Sequence, residues 1–214
     1  TKTSFGRDAI SIADIVGTWT HFVVNTSADS GSRSLRDACT QNNRLITFDP
    51  ALGEATITLG SNLPVPVNCI IDMRKVRITF AGSGEVRRSS STPGRKAFIN
   101  GIFRNAGGGN MLGLHSISGA GRQHIWIGRN EFHSATADDH IDLSDFSSLG
   151  YYVTEFMNWF EPNGGTTGLV HVVGNNRSDQ NNHHTRVGMI GNAFYSSASG
   201  ASRIRFRMPL LTDA

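Results

Sequence analysis

The chain has 214 residues, 38% of them hydrophobic and 17% charged, with 24 glycines and a formal charge of +3. That is apolar material enough for one sizeable core, which excludes a disordered chain and points to a single domain. No apolar run approaches the roughly 18 residues that cross a bilayer, and residues 1–20 lack the basic flank and apolar stretch of a signal peptide, so no membrane partner is expected.

Residues 1–18 have mixed helical and extended character, and 1–21 read as a leading segment ahead of one domain over 22–214. Ser34-Leu35-Arg36-Asp37-Ala38-Cys39 has the pattern of a short amphipathic helix, with Ser34 or Ser32 as N-cap. Strands are predicted at 44–48, 55–59, 67–72 and 76–80, divided by Asp-Pro, Gly-Ser-Asn and Met-Arg-Lys turns. Residues 82–96, rich in Gly, Ser, Arg and Pro, read as a polar loop. Further strands are predicted at 97–103, 111–117, 124–127, 139–143, 151–156, 168–173, 186–190 and 203–207. The Gly-rich 105–110 and the Asn-rich 175–184 read as loops, the second a projection from the body.

Three stretches read alike: His124-Ile125-Trp126-Ile127-Gly128-Arg129-Asn130-Glu131-Phe132, Val153-Thr154-Glu155-Phe156-Met157-Asn158-Trp159-Phe160 and Val187-Gly188-Met189-Ile190-Gly191-Asn192-Ala193-Phe194. Each is an alternating apolar run ending in Asn-x-Phe, and Asn130, Asn158 and Asn192 are 28 and 34 residues apart. A loose repeat of strands with no helical spacer indicates a solenoid. Alternate apolar residues then enter a shared core, while the Asn at each corner stacks on the Asn below and satisfies backbone groups of the turn. The expected fold is all-β: a right-handed, single-stranded parallel β-helix, with the short helix near residue 35 as a lid over its first coil.

Cys39 and Cys69 permit one disulfide, but two buried thiols acting as small hydrophobes are the expectation. Basic clusters at Arg87-Arg88, Arg95-Lys96 and Arg203-Arg205-Arg207 favour acidic polymers, including uronate-bearing polysaccharides. Aromatic residues do not interleave with them in the RNA-binding manner, so nucleic acid is not an expected partner.

From Asn25 onward the chain resembles the pectate lyase family of polysaccharide lyases. The resemblance is carried by Ala28-Asp29-Ser30-Gly31-Ser32-Arg33-Ser34-Leu35-Arg36-Asp37-Ala38, then Leu45-Ile46-Thr47-Phe48-Asp49, then Ile70-Ile71-Asp72, with Met73 where the family has Gly. Phe98-Ile99-Asn100-Gly101-Ile102-Phe103-Arg104 and His124-Ile125-Trp126-Ile127-Gly128-Arg129-Asn130 resemble later family segments in the same order, so roughly 22–207 is covered.

The resemblance implies a parallel β-helix and a calcium-dependent β-elimination. Calcium held by acidic residues bridges to the uronate carboxylate, an Arg removes the acidified proton and a Lys helps to stabilise the developing charge. Asp138 and Asp142, with Asp139 adjacent, have the spacing of the family's calcium carboxylates, since residues four apart on a strand face one side. A solvated coil edge with acidic turn residues is the alternative reading. The basic part is missing. Gly200 falls where the family has its catalytic Arg, Gly165 or Thr166 where it has Lys, and Gly128 and Arg129 where it has Asp and His. A neighbour such as Arg203, Arg205 or Arg207 reaching across a coil is the candidate replacement for the base. Losing one transition-state contact costs about 10²–10³ in rate, so a catalytically degenerate member is expected.

His171, His183 and His184 lack zinc-ligand spacing, and no Gly-x-Ser-x-Gly elbow supports a hydrolase triad. Glycoside hydrolysis needs acids converging on one face, for which Asp138, Asp139 and Asp142 are the only dense group. Trp126, Trp159 and Phe160 can stack on sugar rings if exposed, but alternation leads us to expect at least one Trp inside. Family enzymes continue for several coils beyond the Arg-rich strand, and a solenoid's last coil needs a cover. A homo-oligomer or larger assembly over that coil, in an extracellular or virion setting such as a phage spike or capsid decoration, is the expectation. The function expected is a structural or polysaccharide-recognising β-helix, and its alternative is a working calcium-dependent pectate lyase.

Overall fold

The computed structural model describes residues 19–81, 85–88, 94–105, 110–114, 123–134, 140–143, 151–161, 170–174, 186–194 and 203–207. Through them the chain winds as a parallel β-helix whose coils each give one strand to each of three sheets. Strand β1 (Thr20–Val24) precedes a one-turn helix, α1 (Leu35–Ala38). The first coil is β2 (Arg44–Phe48), β3 (Thr56–Leu59) and β4 (Leu63–Val65). The second is β5 (Cys69–Asp72), β6 (Arg77–Phe80) and β7 (Val86–Arg88). The third is β8 (Arg95–Ile99), β9 (Ile102–Asn105) and β10 (Leu112–Gly113). The fourth is β11 (Gln123–Gly128), β12 (Glu131–Ser134) and β13 (Ile141–Leu143). β14 (Tyr151–Phe156), β15 (Trp159–Phe160) and β16 (Val170–Gly174) make the fifth. β17 (Arg186–Ile190), β18 (Ala193–Phe194) and β19 (Arg203–Arg207) make the sixth.

The first sheet stacks β1, β2, β5, β8, β11, β14 and β17; the second stacks β3, β6, β9, β12, β15 and β18; the third stacks β4, β7, β10, β13, β16 and β19. Strands pair in parallel with like residues above like, so the core is built of columns. Ile46, Ile71, Phe98 and Ile127 form one column, and it continues into Glu155, which is fully buried. Ile57, Ile78, Phe103, Phe132 and Phe160 form another. Its rings stack 5.0 Å apart between Phe103 and Phe132 and 4.9 Å apart between Phe132 and Phe160, nearly parallel, with His140 edge-on to the last two. Leu63, Val86, Leu112 and Ile141 line the third sheet.

The corner between the first and second sheets turns on a left-handed residue: Asn100, Arg129, Met157 and Gly191 have φ of 59°, 54°, 53° and 63°. Gly101 follows the first of these and the repeated Asn follows the other three, and each Asn bonds back to the preceding coil. Asn130 Oδ1 accepts from Gly101 N (2.9 Å), Asn158 Oδ1 from Asn130 N (3.1 Å) and Asn192 Oδ1 from Asn158 N (2.9 Å). Their amide groups donate to Phe98 O, Ile127 O and Glu155 O in turn. A buried backbone group left without a partner costs ~1–3 kcal/mol, and an Asn with a donor and an acceptor side meets that need at successive coils.

Helix α1 sits where the sequence places it. Ser34 Oγ accepts from Asp37 N at 3.1 Å, Asp37 Oδ2 accepts from Arg33 N at 2.8 Å, and Leu35 and Ala38 are buried in the main core. Arg36 ties the helix down by donating to Asp29 Oδ1 and to Ser61 O and Asn62 O. Some boundaries differ from expectation. The stretch predicted as one strand at 97–103 is β8 and β9 divided by the left-handed Asn100. The segment 82–96 holds β7 and the start of β8, because a three-residue strand needs only one inward residue, Val86, to join the core.

Candidate functional site

Of the acid and base positions singled out in the sequence, Asp142 and the three arginines lie in strands of the third sheet. Asp142 of β13 is in register with Val172 of β16, and Val172 with Arg205 of β19. Arg203 and Arg207 pair with Val170 and Gly174 in the same sheet. The backbones of Asp142 and Arg205 are thus two strand spacings apart, about 10 Å. Asp138, Asp139, Gly165, Thr166, Gly200, His183 and His184 lie outside the described residues. Among the described residues, no three His, Cys, Asp or Glu side chains gather into a group able to hold a metal ion.

Gly128 and Arg129, which stand where the lyase resemblance has Asp and His, end β11 and turn the corner. A Cβ added at Gly128 would overlap the ring of Phe156, its register partner one coil on. The space an acidic side chain would need is therefore filled by an aromatic ring. Arg129 takes the left-handed corner position and is exposed.

Trp126 and Trp159 both stay outside the core, contrary to the inward Trp expected. In β11 the inward residues are Ile125 and Ile127, so Trp126 lies on the outer face, stacked 5.7 Å from His124 and packed against Ile70 and Ala97. In β15 the inward residue is Phe160, and Trp159 stands 42% exposed. The phase is set by the corner Asn, which restarts the alternation at each turn.

Outward residues of the second sheet form a polar cluster that the sequence reading missed. Glu131 and His133 flank the inward Phe132, and Trp159 and Glu161 flank the inward Phe160. His133 bridges the two acids, with Nε2 at 3.0 Å from Glu131 Oε2 and Nδ1 bonded to Glu161 Oε2. Arg104 is in register with His133 and exposed. The signal was present: Asn-x-Phe-x places both x residues, Glu131 and His133 in one coil and Trp159 and Glu161 in the next, on the outer face. At the neighbouring corner a cavity of about 440 Å³ is lined by Arg74, Lys75, Asn100, Ile102, Arg129 and Glu131.

Cys39 and Cys69 are free, buried thiols, as expected. Burial pushes Cys69 from 9.0 up to about 12 against the pull of Lys96, and pushes Cys39 upward too, with Cys69 adding to the rise. Neither is a nucleophile at neutral pH. Compared with family models, curated proteins and solved structures, the chain matches none.

Proposed function

We propose that this chain is a non-catalytic, pectate-lyase-like β-helix serving as a structural or polysaccharide-recognition module in an extracellular or virion assembly. The observation that carries the reading is Trp159. A large indole held 42% exposed on the outer face of a regular sheet, beside the Glu131-His133-Glu161 cluster, is the equipment of a surface that stacks on sugar rings and bonds to their hydroxyls. The fit of Phe156 against Gly128 supports the absence of lyase chemistry, because regaining an acid there would require repacking the coil. Met157 and Ile190, 61% and 59% exposed, support a contact surface towards the C-terminal coils, as an oligomer or larger particle would need.

The row Asp142–Val172–Arg205 favours a second reading, the calcium-dependent pectate lyase. In that reading Asp142, with Asp138 and Asp139, would hold calcium as hard oxygen donors, calcium would supply the acidification of the proton beside the uronate carboxylate, and Arg203, Arg205 or Arg207 would accept that proton. Incubation with polygalacturonate, followed by ultraviolet absorbance of the unsaturated product with and without calcium at neutral to alkaline pH, decides between them. Folded protein giving no product is the expected result. Calcium-dependent product that is lost in Arg205→Gln would replace the first reading with the second.

A further inference from the structure

The corner cavity has a charge and a shape that the third-sheet row does not explain. Arg74 and Lys75 turn the second coil with φ of 46° and 71°, and Arg129 turns the fourth with φ of 54°. Asn100 lies between them: its carbonyl accepts from Lys75 N at 2.6 Å, and its own N–H donates to Gly128 O at 3.1 Å. All three cations are exposed, and among the described residues none is in an ion pair. The one carboxylate lining the cavity, Glu131, is engaged by His133. Trp159 is the register partner of Glu131 on the next coil, and Met157 follows Arg129 at the corner. Cations and an aromatic face therefore succeed one another along the helix axis, with the two cationic levels two coils, about 10 Å, apart.

We infer that this corner is a binding site for an anionic oligosaccharide lying parallel to the helix axis, with acidic groups on Arg74/Lys75 and on Arg129 and a sugar ring against Trp159. The inference deepens the polysaccharide-recognition reading and rests on it. Two cationic levels separated by a neutral Asn match a chain whose acidic groups recur at intervals rather than a single anion. The exposed indole supplies a face on which a sugar ring stacks beside the cations. Carboxylate and sulfate are both served by this chemistry.

The test is titration calorimetry of the whole chain with a carboxylated, a sulfated and a neutral oligosaccharide of equal length, and with a single-stranded oligonucleotide. Asn is at ease in left-handed backbone, so the double variant Lys75→Asn/Arg129→Asn removes charge without straining the corner, and circular dichroism checks that it folds. Binding of at least one acidic oligosaccharide over the neutral one is expected, weakened about tenfold or more in the double variant and in Trp159→Ala. Arg33→Asn, at an exposed left-handed cation ahead of the first coil, should leave it unchanged. Acidic-sugar binding that the double variant leaves intact, or that Arg33→Asn weakens equally, overturns the site while polysaccharide recognition stands. No binding to any oligosaccharide overturns both. Tighter, variant-sensitive binding of the oligonucleotide overturns the sugar assignment.

Discussion

Asn158 is bonded on both sides of its coil: it accepts from Asn130 N, donates to Ile127 O and Asn192 Oδ1, and is 1% exposed. Asn158→Ala would strand the Asn130 N–H and the Ile127 carbonyl together. A loss of about 2–4 kcal/mol in urea unfolding is expected, and a smaller loss for Asn192→Ala, whose side chain is only partly buried. Gly128 makes the opposite point, since what matters there is an absent side chain. Gly128→Asp drives a carboxylate into the Phe156 ring and should cost about 1–3 kcal/mol without creating lyase activity. Unaltered stability of Gly128→Asp would mean that the ring swings aside freely.

At the scale of elements, α1 and the short strands show how far pattern reading reaches. Ser34 was legible as an N-cap because a hydroxyl before Leu-Arg-Asp-Ala is a local signal, and the structure gives it that role. Ser34→Ala should lower stability by about 1 kcal/mol, measured by the same unfolding curves, and should loosen the first coil, where Leu35 and Ala38 enter the core. The strands at 151–156, 186–190 and 203–207 were legible at their full length, since five or six residues show alternation. β4, β7 and β15 were not. Leu63–Val65 carries Pro64, Val86–Arg88 is set among polar residues, and Trp159–Phe160 has two residues; no period can be read in so few. The outer-face cluster was missed for a related reason. Glu161 is 28 residues from His133 in a linear reading and meets it and Glu131 only when the coils are stacked in register.

For the whole molecule, the repeat of Asn130, Asn158 and Asn192 disclosed the parallel β-helix, because one side chain doing the same job at each turn leaves a trace in the sequence. Its buried thiols give a pH signature. Cys69 holds its proton to about 12 when folded, whereas the unfolded chain releases it near 9.0. The native state then binds more protons across that interval. Its stability contribution is whole below pH 9.0 and is lost as the pH rises towards 12. The melting temperature should fall from about pH 9 upward, and the fall should be smaller in Cys69→Ala; an equal fall would assign it to other groups. The corner carries a wider consequence. Because the Asn at three successive turns secures the backbone, the left-handed residue before it is released from holding the fold, and Arg129, Met157 and Gly191 occupy one position with three different chemistries. Such a row can be respelled coil by coil while the winding beneath it stays the same, so that changes of recognition in this chain need never pass through changes of shape.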